Sequence, residues 1–297
     1  MKFLIIGASG FIGSHLYSHI KDRGYDVIGT QTKARQNDLK VYNLLSTQPL
    51  ELCIGKDFFE GEEQKVCVIM AAIRQIDKCA EDPKFSYLVN VTETFNLAKE
   101  LRDKGVKVVF ISTSFVFNGK SGFYNEENKK SPICEYARQK SLAEDLILRN
   151  VPGSLIFRFD KVLGTDPYED HLFTEWLGLC KSGKPILCIK NNYFPGTLVD
   201  DIAKAILLGC VNNLEGVYHV ANTQSIFRTE LALRFVDKMG YDVSVVEKNT
   251  GYFKFKDNRS LRTDLDVRKF VDATDMKFTD FDKMIEMFKK NMRGGKK

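Results

Sequence analysis

The chain has 297 residues, 43% of them hydrophobic and 28% charged, which is enough for one large folded domain or two unequal ones with a sizeable core. Its formal charge of +5 comes from lysines and arginines dispersed along the chain, which fits a phosphate-bearing small molecule better than a nucleic acid. No apolar run approaches the roughly 20 residues that span a bilayer, and the first strand begins at the N-terminus. We therefore expect a cytoplasmic protein that binds neither nucleic acid nor a membrane.

The cysteines and histidines predict neither disulfides nor a metal site. The seven cysteines are scattered and odd in number, which is typical of reduced, buried thiols in a cytosolic protein. His15 and His19 are four residues apart on one predicted helix face, but no third ligand lies near them in the sequence. We assign both histidines to a helix surface or the edge of the core, and we expect no bound metal.

The first half of the chain alternates between strand and helix patterns. Short apolar runs rich in β-forming residues predict strands, and amphipathic stretches between them predict helices. The predicted strands cover residues 2–8, 25–32, 65–72, 106–114 and 153–160. The predicted helices cover residues 13–24, 83–105 and 131–150.

This alternation predicts an α/β fold of the Rossmann type, with a doubly wound parallel sheet. Right-handed crossovers place the carboxyl ends of its strands at one edge. After Gly164 the alternation breaks, and it returns only briefly near residues 197–223. We therefore predict a nucleotide-binding domain formed by residues 1–164 and roughly 197–223. A smaller, mixed α/β substrate-binding cap would comprise residues 165–196 and 224–297.

Three glycines follow the first predicted strand directly. Gly7 and Gly10 lie where the chain turns from strand to helix, so a pyrophosphate could come close to the backbone. The N-terminus of the next helix offers unpaired N–H groups and the positive end of the helix dipole. Gly13, one turn into that helix, permits close packing on the strand. A tight turn alone would need only one glycine, and the spacing therefore favours a dinucleotide-binding loop.

The end of the second predicted strand indicates which dinucleotide binds. An NAD site usually has an acidic residue here to bind the ribose 2′-hydroxyl. In this chain Thr30, Gln31 and Thr32 occupy that place, and Lys33 and Arg35 follow. Because lysine and arginine attract a 2′-phosphate that an acid would repel, we predict NADP(H) over NAD(H).

A threonine, a tyrosine and a lysine provide groups for acid catalysis. Thr113 ends the strand at 106–114, and Tyr136 and Lys140 share one face of the following helix. A free tyrosine has a pKa near 10, and we expect the Lys140 ammonium to lower it. Thr113 would hold a carbonyl oxygen while Tyr136 protonates it. These three residues are our predicted catalytic set.

Together these stretches resemble the extended short-chain dehydrogenase/reductase family, which includes NAD-dependent epimerases and dehydratases. The resemblance covers nearly the whole chain and includes "GASGFIG", "ISTSFVFNG", "EYARQK" and "LVDDIAKAI". Within the family the sequence is most similar to the dTDP-4-dehydrorhamnose reductases and related nucleotide-sugar 4-ketoreductases. The stretches "FRFDKVLG", "GVYHVAN" and "NRSLRTDLDVRKF" support this similarity.

The resemblance implies which side chains contact the cofactor. The implied positions are Gly7, Ser9, Gly10, Phe11, Ile12 and Gly13 for the pyrophosphate, Gln31, Lys33 and Arg35 at the adenosine ribose, Asn43 and Leu44 at the adenine, Ala71, Ala72 and Arg74 along the nucleotide, and Tyr136 and Lys140 at the nicotinamide ribose. Asn43 replaces the usual acid at the adenine, and its amide can still bond to the base.

Other positions depart from the family pattern and are expected to contact the substrate. Ser114 stands where related reductases have an aspartate, and no Asp-Glu pair follows Thr113, which argues against a 4,6-dehydratase. Asp160 and Lys161 replace a small hydroxyl residue and an aromatic one, so the sugar could differ from that of the named reductases. Arg259, in a basic loop of the cap, could meet a diphosphate.

These observations predict NADPH-dependent reduction of a 4-keto nucleotide-sugar, with hydride delivered to C4 and a proton from Tyr136. One alternative is a nucleotide-sugar 4-epimerase with tightly bound NAD, although no acid follows the second strand. Another is a non-catalytic, NADP-binding regulatory subunit, although such proteins often lose the tyrosine or the lysine that is retained here. A homodimer is left open.

Overall fold

The computed structural model describes residues 1–294, so the last three residues of the predicted cap lie outside the described part. A seven-stranded parallel sheet forms the centre. Its strands are β1 Lys2–Ile6, β2 Asp26–Gln31, β3 Lys40–Val41, β4 Lys65–Ile69, β5 Lys107–Thr113, β6 Leu155–Phe159 and β11 Gly216–His219. They lie in the order β3–β2–β1–β4–β5–β6–β11. The predicted Rossmann-type sheet is confirmed.

Helices cover both faces of this sheet. The central strands β1, β4 and β6 are buried almost throughout because their apolar runs have helices on both sides. The helices are α1 Phe11–Lys21, α2 Leu50–Ile54, α3 Ile76–Glu81, α4 Pro83–Tyr87, α5 Thr94–Asp103, α6 Glu135–Asn150, α7 Leu172–Lys181, α8 Val199–Val211, α9 Arg228–Met239, α10 Arg268–Thr274 and α11 Phe281–Gly294. Shorter 3-10 turns cover Lys56–Phe58, Ser114–Val116 and Thr250–Phe253.

The sequence predicts one long helix over residues 83–105, and the structure interrupts it. A π-helical segment, Leu88–Glu93, separates α4 from α5. Its wider turn carries Asn90 into the interior, where the side chain is 1% exposed. The π-turn depends on contacts that Asn90 makes with distant parts of the chain, so the amphipathic pattern of the sequence does not predict it.

Three small two-stranded sheets complete the fold, and two of them lie in the predicted cap. The remaining strands are β7 Val162–Leu163, β8 Ile186–Ile189, β9 Tyr193–Phe194, β10 Thr197–Leu198, β12 Ile226–Phe227 and β13 Val245–Lys248. β7 pairs with β10 and β8 with β13 in parallel, whereas β9 and β12 are antiparallel. Many of the cap's apolar side chains pack together in a core of their own, which includes Phe173, Trp176, Phe235 and Phe288. The exact domain limits remain a prediction.

His15 lies at the edge of the core on α1. Its Nδ1 is 2.6 Å from the Asp200 carboxylate on α8, and its Nε2 is 3.0 Å from Glu169 in the cap. Burial alone would lower the pKa of His15, but the two carboxylates outweigh it and raise the pKa to about 9. His15 therefore connects the sheet domain to the cap as an imidazolium.

The described residues, 1–294, contain no cluster of three or more side chains suited to a metal ion. Within that same range, no helix is both long and apolar enough to cross a membrane. All seven cysteines are free, and six of them are buried.

Candidate active site

The carboxyl ends of β1, β2, β4, β5 and β6 meet at one edge of the sheet, because the strands are parallel. β1 lies between β2 and β4, so the chain reverses its direction of winding at β1. The predicted catalytic residues and most predicted cofactor residues follow these five strands or lie in the first two turns of the helices after them, whereas Asn43 and Leu44 follow β3. This edge is the candidate active site.

The glycine loop has the geometry that a pyrophosphate requires. Gly7 has a φ of +97°, and a Cβ there would lie 3.0 Å from the backbone nitrogen of Ala71. A Cβ on Gly13 would lie 2.3 Å from the carbonyl oxygen of Gly7, so α1 can approach the loop only with glycine at this position. Gly10 precedes α1 without a side-chain cap, which leaves the first N–H groups of the helix for a ligand. The loop therefore fits a dinucleotide pyrophosphate.

Thr30, at the end of β2, holds the start of this loop. Its hydroxyl accepts a hydrogen bond from the Gly7 N–H at 3.1 Å and donates one to the Ile5 carbonyl oxygen at 3.3 Å. Ser9 is exposed at the loop tip, and the Phe11 ring stacks on His171 with centroids 5.9 Å apart. The loop is thus fixed from the neighbouring strand and from the cap.

Gln31 is used differently from the expected ribose contact. Its amide donates to the carbonyl oxygens of Gln36 and Leu39 and accepts from the N–H groups of Arg35 and Gln36, at 2.6–3.0 Å. The side chain is 2% exposed and shapes the loop after β2. That loop presents Lys33 and Arg35, which are exposed and whose side chains form no ion pair or hydrogen bond within residues 1–294. The cations, and not Gln31, are therefore available to a 2′-phosphate.

The expected adenine and nucleotide positions lie along the same edge. Asn43 is exposed, and its Oδ1 accepts from the Leu45 N–H at 3.0 Å, while Leu44 is buried beneath it. Ala71 donates its N–H to the Ile6 carbonyl oxygen at 3.0 Å and, like Ala72, is half-buried beside the glycine loop.

The three predicted catalytic residues come together at the ends of β5 and α6. The Thr113 and Tyr136 hydroxyls are within hydrogen-bonding reach of each other. Lys140, one turn further along α6, is 4% exposed, and its Nζ lies 3.7 Å from the centroid of the Phe110 ring. The structure therefore supports one site formed by these groups.

Our expectation that Lys140 lowers the pKa of Tyr136 is wrong. Burial raises the pKa of Tyr136, and it outweighs the hydrogen bond from Thr113 and the charge of Arg74, which act in the opposite direction. Burial also lowers the pKa of Lys140 to about 7, against the attraction of Glu144. The site is dry enough that desolvation outweighs the electrostatic help we expected between the two residues.

A buried amide network holds α6, which carries Tyr136 and Lys140, and the sequence did not predict most of this network. The Asn90 side chain bonds to both the N–H and the carbonyl group of Ile73, at 2.8 and 3.0 Å. It also donates to the Gln139 Oε1 at 2.9 Å. Gln139 lies between Tyr136 and Lys140 on α6, so the network fixes this helix against the loop after β4. The signal in the sequence was the four-residue spacing between Glu135 and Gln139, which places the two side chains on one face of α6.

The predicted substrate residues divide into two groups. Ser114 is fully buried, and its hydroxyl donates to the Asp160 Oδ2 at 2.7 Å. Ser114 therefore supports Asp160 and does not reach the substrate by itself. Lys161 follows Asp160 and is exposed. Arg259 is engaged elsewhere: its guanidinium donates to the Asp77 carboxylate at 2.8 Å and covers the Phe255 ring. Arg259 thus clamps the cap loop to α3, which is not the free diphosphate contact we expected.

Comparison with known proteins agrees with this architecture. Residues 1–293 match the family described as "RmlD substrate binding domain". SpsK of Bacillus subtilis, a spore coat polysaccharide biosynthesis protein, is 27% identical over 92% of this chain and 91% of its own length. The beta subunit of methionine adenosyltransferase 2 from Xenopus tropicalis is 26% identical over 80% of this chain and 71% of its own.

Among solved structures, dTDP-4-dehydrorhamnose reductase from Bacillus anthracis in complex with NADP superimposes with a TM-score of 0.84. It is 22% identical and covers 97% of this chain and 99% of its own, which shows the shared fold. Because the family matches almost the whole chain, this match identifies the family of the chain more firmly than any single relative does. The chain therefore belongs to the RmlD substrate binding domain family, and with it to the NAD(P)-dependent oxidoreductases of the extended short-chain dehydrogenase/reductase type.

Proposed function

We propose that the protein reduces the C4 ketone of a nucleotide-sugar with NADPH, and that Tyr136 donates the proton. The observation that carries the proposal is the close approach of Thr113 and Tyr136, with Lys140 one turn away, at the sheet edge that also holds the glycine loop. A hydroxyl pair at this place can bind a ketone oxygen and protonate it as negative charge develops.

The residues present fit a nicotinamide dinucleotide. The loop of Gly7, Gly10 and Gly13 would hold the pyrophosphate, and Lys33 and Arg35 would bind the 2′-phosphate of NADP. NADPH, when bound, supplies the hydride that reduces the ketone carbon. The similar reductase from Bacillus anthracis, which was solved with NADP, supports this cofactor.

Each catalytic side chain has a distinct part in the proton transfer. Tyr136 stays protonated at neutral pH because burial raises its pKa, so the proton is in place before the reaction begins. Thr113 orients the phenol and shares the ketone oxygen with it. The Lys140 ammonium stabilises the tyrosine as it loses its proton, and Arg74 adds positive charge near the same phenol.

The nucleotide-sugar substrate is supported by relatives that act in sugar metabolism. Asp160 and Lys161 stand at the end of the strand next to Thr113, so we assign them to the sugar. Ser114 acts through Asp160, and Arg259 acts by holding the cap loop in place.

The test is to incubate the purified protein with NADPH and a panel of 4-keto nucleotide-sugars, following the nicotinamide absorbance. We expect oxidation of NADPH with at least one of them. Tyr136→Phe should lower turnover by about 100-fold or more and leave NADPH affinity largely unchanged. Tyr87→Phe, which removes the hydroxyl of an exposed tyrosine on α4, is the matched control. Full turnover in Tyr136→Phe would remove Tyr136 from its role.

A nucleotide-sugar 4-epimerase is the first alternative. Such an enzyme would be purified with NAD already bound and would interconvert two nucleotide-sugars without consuming added NADPH. The exposed Lys33 and Arg35, with no acid beside them, favour the reductase.

A regulatory subunit is the second alternative, and the similarity to the beta subunit of methionine adenosyltransferase 2 favours it. A protein with this function would bind dinucleotide and a partner enzyme but reduce no sugar of the panel. The presence of Thr113, Tyr136 and Lys140 together at one sheet edge favours catalysis.

A further inference from the structure

Three basic side chains lie around the end of β5, where Thr113 stands, and form no ion pair within residues 1–294. Arg74 follows β4 and Lys161 follows β6, the two strands on either side of β5, and Arg228 begins α9. We call Arg74, Lys161 and Arg228 the site cations, and of these Arg74 and Lys161 are exposed to the solvent. The Arg228 guanidinium lies 5.8 Å from the Trp176 ring, which fixes its direction.

The site cations repel one another. Partial loss of solvation lowers the pKa of Lys161, and the charges of Arg228 and Arg74 lower it further. The charge of Arg74 also acts on Tyr136, so Arg74 is near the proposed catalytic acid as well. Like charges gathered at one site destabilise the free protein, and an anionic ligand would reduce that cost.

The nearby carboxylates attract Lys161 but form no ion pair with it. Asp160 accepts hydrogen bonds from Ser114, from the Lys161 N–H and from Thr263. Its lone pairs are therefore directed at neutral donors, and burial raises its pKa to about 6. Glu175, on α7, and Asp160 both attract the Lys161 ammonium from a distance, which leaves it free to contact an anionic ligand directly.

The position of Lys161 decides which part of the substrate it meets. Thr113 on β5 is in register with Phe159 on β6, and Ser114 and Asp160 continue both chains. Neighbouring strands are about 4.8 Å apart, so Lys161 begins within one sugar ring of the groups that hold the ketone oxygen. A diphosphate on C1 lies on the far side of that ring.

We propose that the sugar of the substrate carries a carboxylate, which Lys161 binds with help from Arg228 and Arg74. This inference rests on the proposed function and deepens it, because it assigns the class of sugar to the same site. The bonds would be charge-assisted, and one arginine could hold both oxygens of the carboxylate. Related reductases have an aromatic residue at the position of Lys161, which could stack on a neutral sugar. Lys161 would instead bind the carboxylate of an acidic sugar.

Matched pairs of nucleotide-sugars test this inference by binding alone. Calorimetry with the NADP-loaded protein would compare UDP-glucuronic acid with UDP-glucose, and the corresponding dTDP and GDP pairs. We expect the acid to bind about 10-fold or more tightly than the neutral sugar in at least one pair. Lys161→Met should remove that difference, whereas Lys184→Met, at an exposed cap lysine, should keep it.

Two outcomes overturn the inference. Equal affinity within every pair, or no binding of any acidic member, shows that the sugar site does not recognise a carboxylate. A loss of affinity for both members of a pair in Lys161→Met shows that Lys161 holds the diphosphate. The proposed reduction is measured separately, with neutral 4-keto sugars and NADPH. Each of the two proposals can therefore fail without the other.

Discussion

The Arg158 guanidinium binds both carboxylate oxygens of Glu144 inside the protein, one helical turn from Lys140. The two contacts are 3.0 Å from Nε and 2.8 Å from Nη2. Glu144 is fully buried, and Arg158 is 3% exposed. Lys130 reaches the same carboxylate at 3.1 Å, and the Arg158 Nη1 lies 3.2 Å from the Nε2 of His219. This buried network fixes α6 against β6 directly behind the proposed catalytic residues.

Removing the charge of Glu144 should strongly destabilise the protein. Glu144→Gln leaves Arg158 buried without its counterion, and breaking such a pair costs about 3–5 kcal/mol. Asp145→Asn is the matched control, because Asp145 also contacts Lys130 but is largely exposed, and its ion pair is worth about 1 kcal/mol or less. Urea unfolding measures both variants. Equal stability of the two would show that the buried pair contributes no more than a surface one.

The activity should fall as the pH rises through neutrality. Burial lowers the pKa of Lys140 to about 7, so its ammonium is present below that pH and is lost above it. Tyr136 does not titrate in this range, because burial raises its pKa. We therefore expect kcat/KM for NADPH, which reports the free enzyme, to decline above about pH 7.

Glu144 provides a second readout of the same titration. Its charge raises the pKa of Lys140, so the decline should begin at a lower pH in Glu144→Gln, provided that variant is assayed below its melting temperature. Asp145→Asn should keep the wild-type profile. A profile that stays flat to pH 9 in the wild type would contradict the assignment of this step to Lys140.

Lys33 and Arg35 should set the preference for NADPH over NADH. Both are exposed at the end of β2, and the Gln31 amide holds the loop that presents them. Replacing both by alanine should weaken NADPH binding about 100-fold or more, since each charge-assisted contact contributes roughly 1.5–3 kcal/mol, and should leave NADH unaffected. Lys283→Ala on α11 removes a distant, exposed charge as the control. An equal loss for both dinucleotides would contradict a 2′-phosphate contact.

Two glycines in helices allow a direct test of the loop geometry. A Cβ at Gly13 would lie 2.3 Å from the Gly7 carbonyl oxygen, so Gly13→Ala should cost about 1–3 kcal/mol of stability and weaken NADPH binding. A Cβ at Gly178 in α7 would meet no atom within 4 Å, and Gly178→Ala should stabilise by about 0.5–1 kcal/mol. Urea unfolding and a fluorescence titration with NADPH measure both effects. Normal NADPH affinity in Gly13→Ala would mean that the loop can shift without losing its ligand.

The features that the sequence predicted are those encoded by neighbouring residues. The glycine loop is local, because the end of β1 and the start of α1 contain all of its glycines. The strand and helix alternation is local in the same sense, and it predicts the sheet edge where Thr113 and Tyr136 meet. Parallel strands leave few other ways to arrange such a pattern.

The features that were missed depend on partners far away in the chain. Asn90 reaches the interior through a π-turn that only its contacts with Ile73 and Gln139 explain. The low pKa of Lys140 arises from burial, which no spacing of residues reports. The side chain of Arg259 looks free in the sequence because its partner, Asp77, is 182 residues away.

The contact between Asp77 and Arg259 should act as a clamp between α3 and the cap loop. The two side chains are 2.8 Å apart and partly shielded, and the Asp77 carboxylate also accepts the Lys256 N–H at 3.0 Å. Arg259→Met and Asp77→Asn should each lower stability, and the double variant should cost no more than the larger single effect. The coupling should amount to about 1 kcal/mol, as expected for a partly exposed pair.

Kinetics distinguish this clamp from direct binding of the substrate. If Arg259 acts only through Asp77, both single variants should raise KM for the nucleotide-sugar by the same factor, because each releases the same loop. If Arg259 binds the diphosphate itself, Arg259→Met should raise KM much more than Asp77→Asn does. The second pattern would restore Arg259 to the substrate site, and the first would leave it as the residue that closes the cap loop over α3.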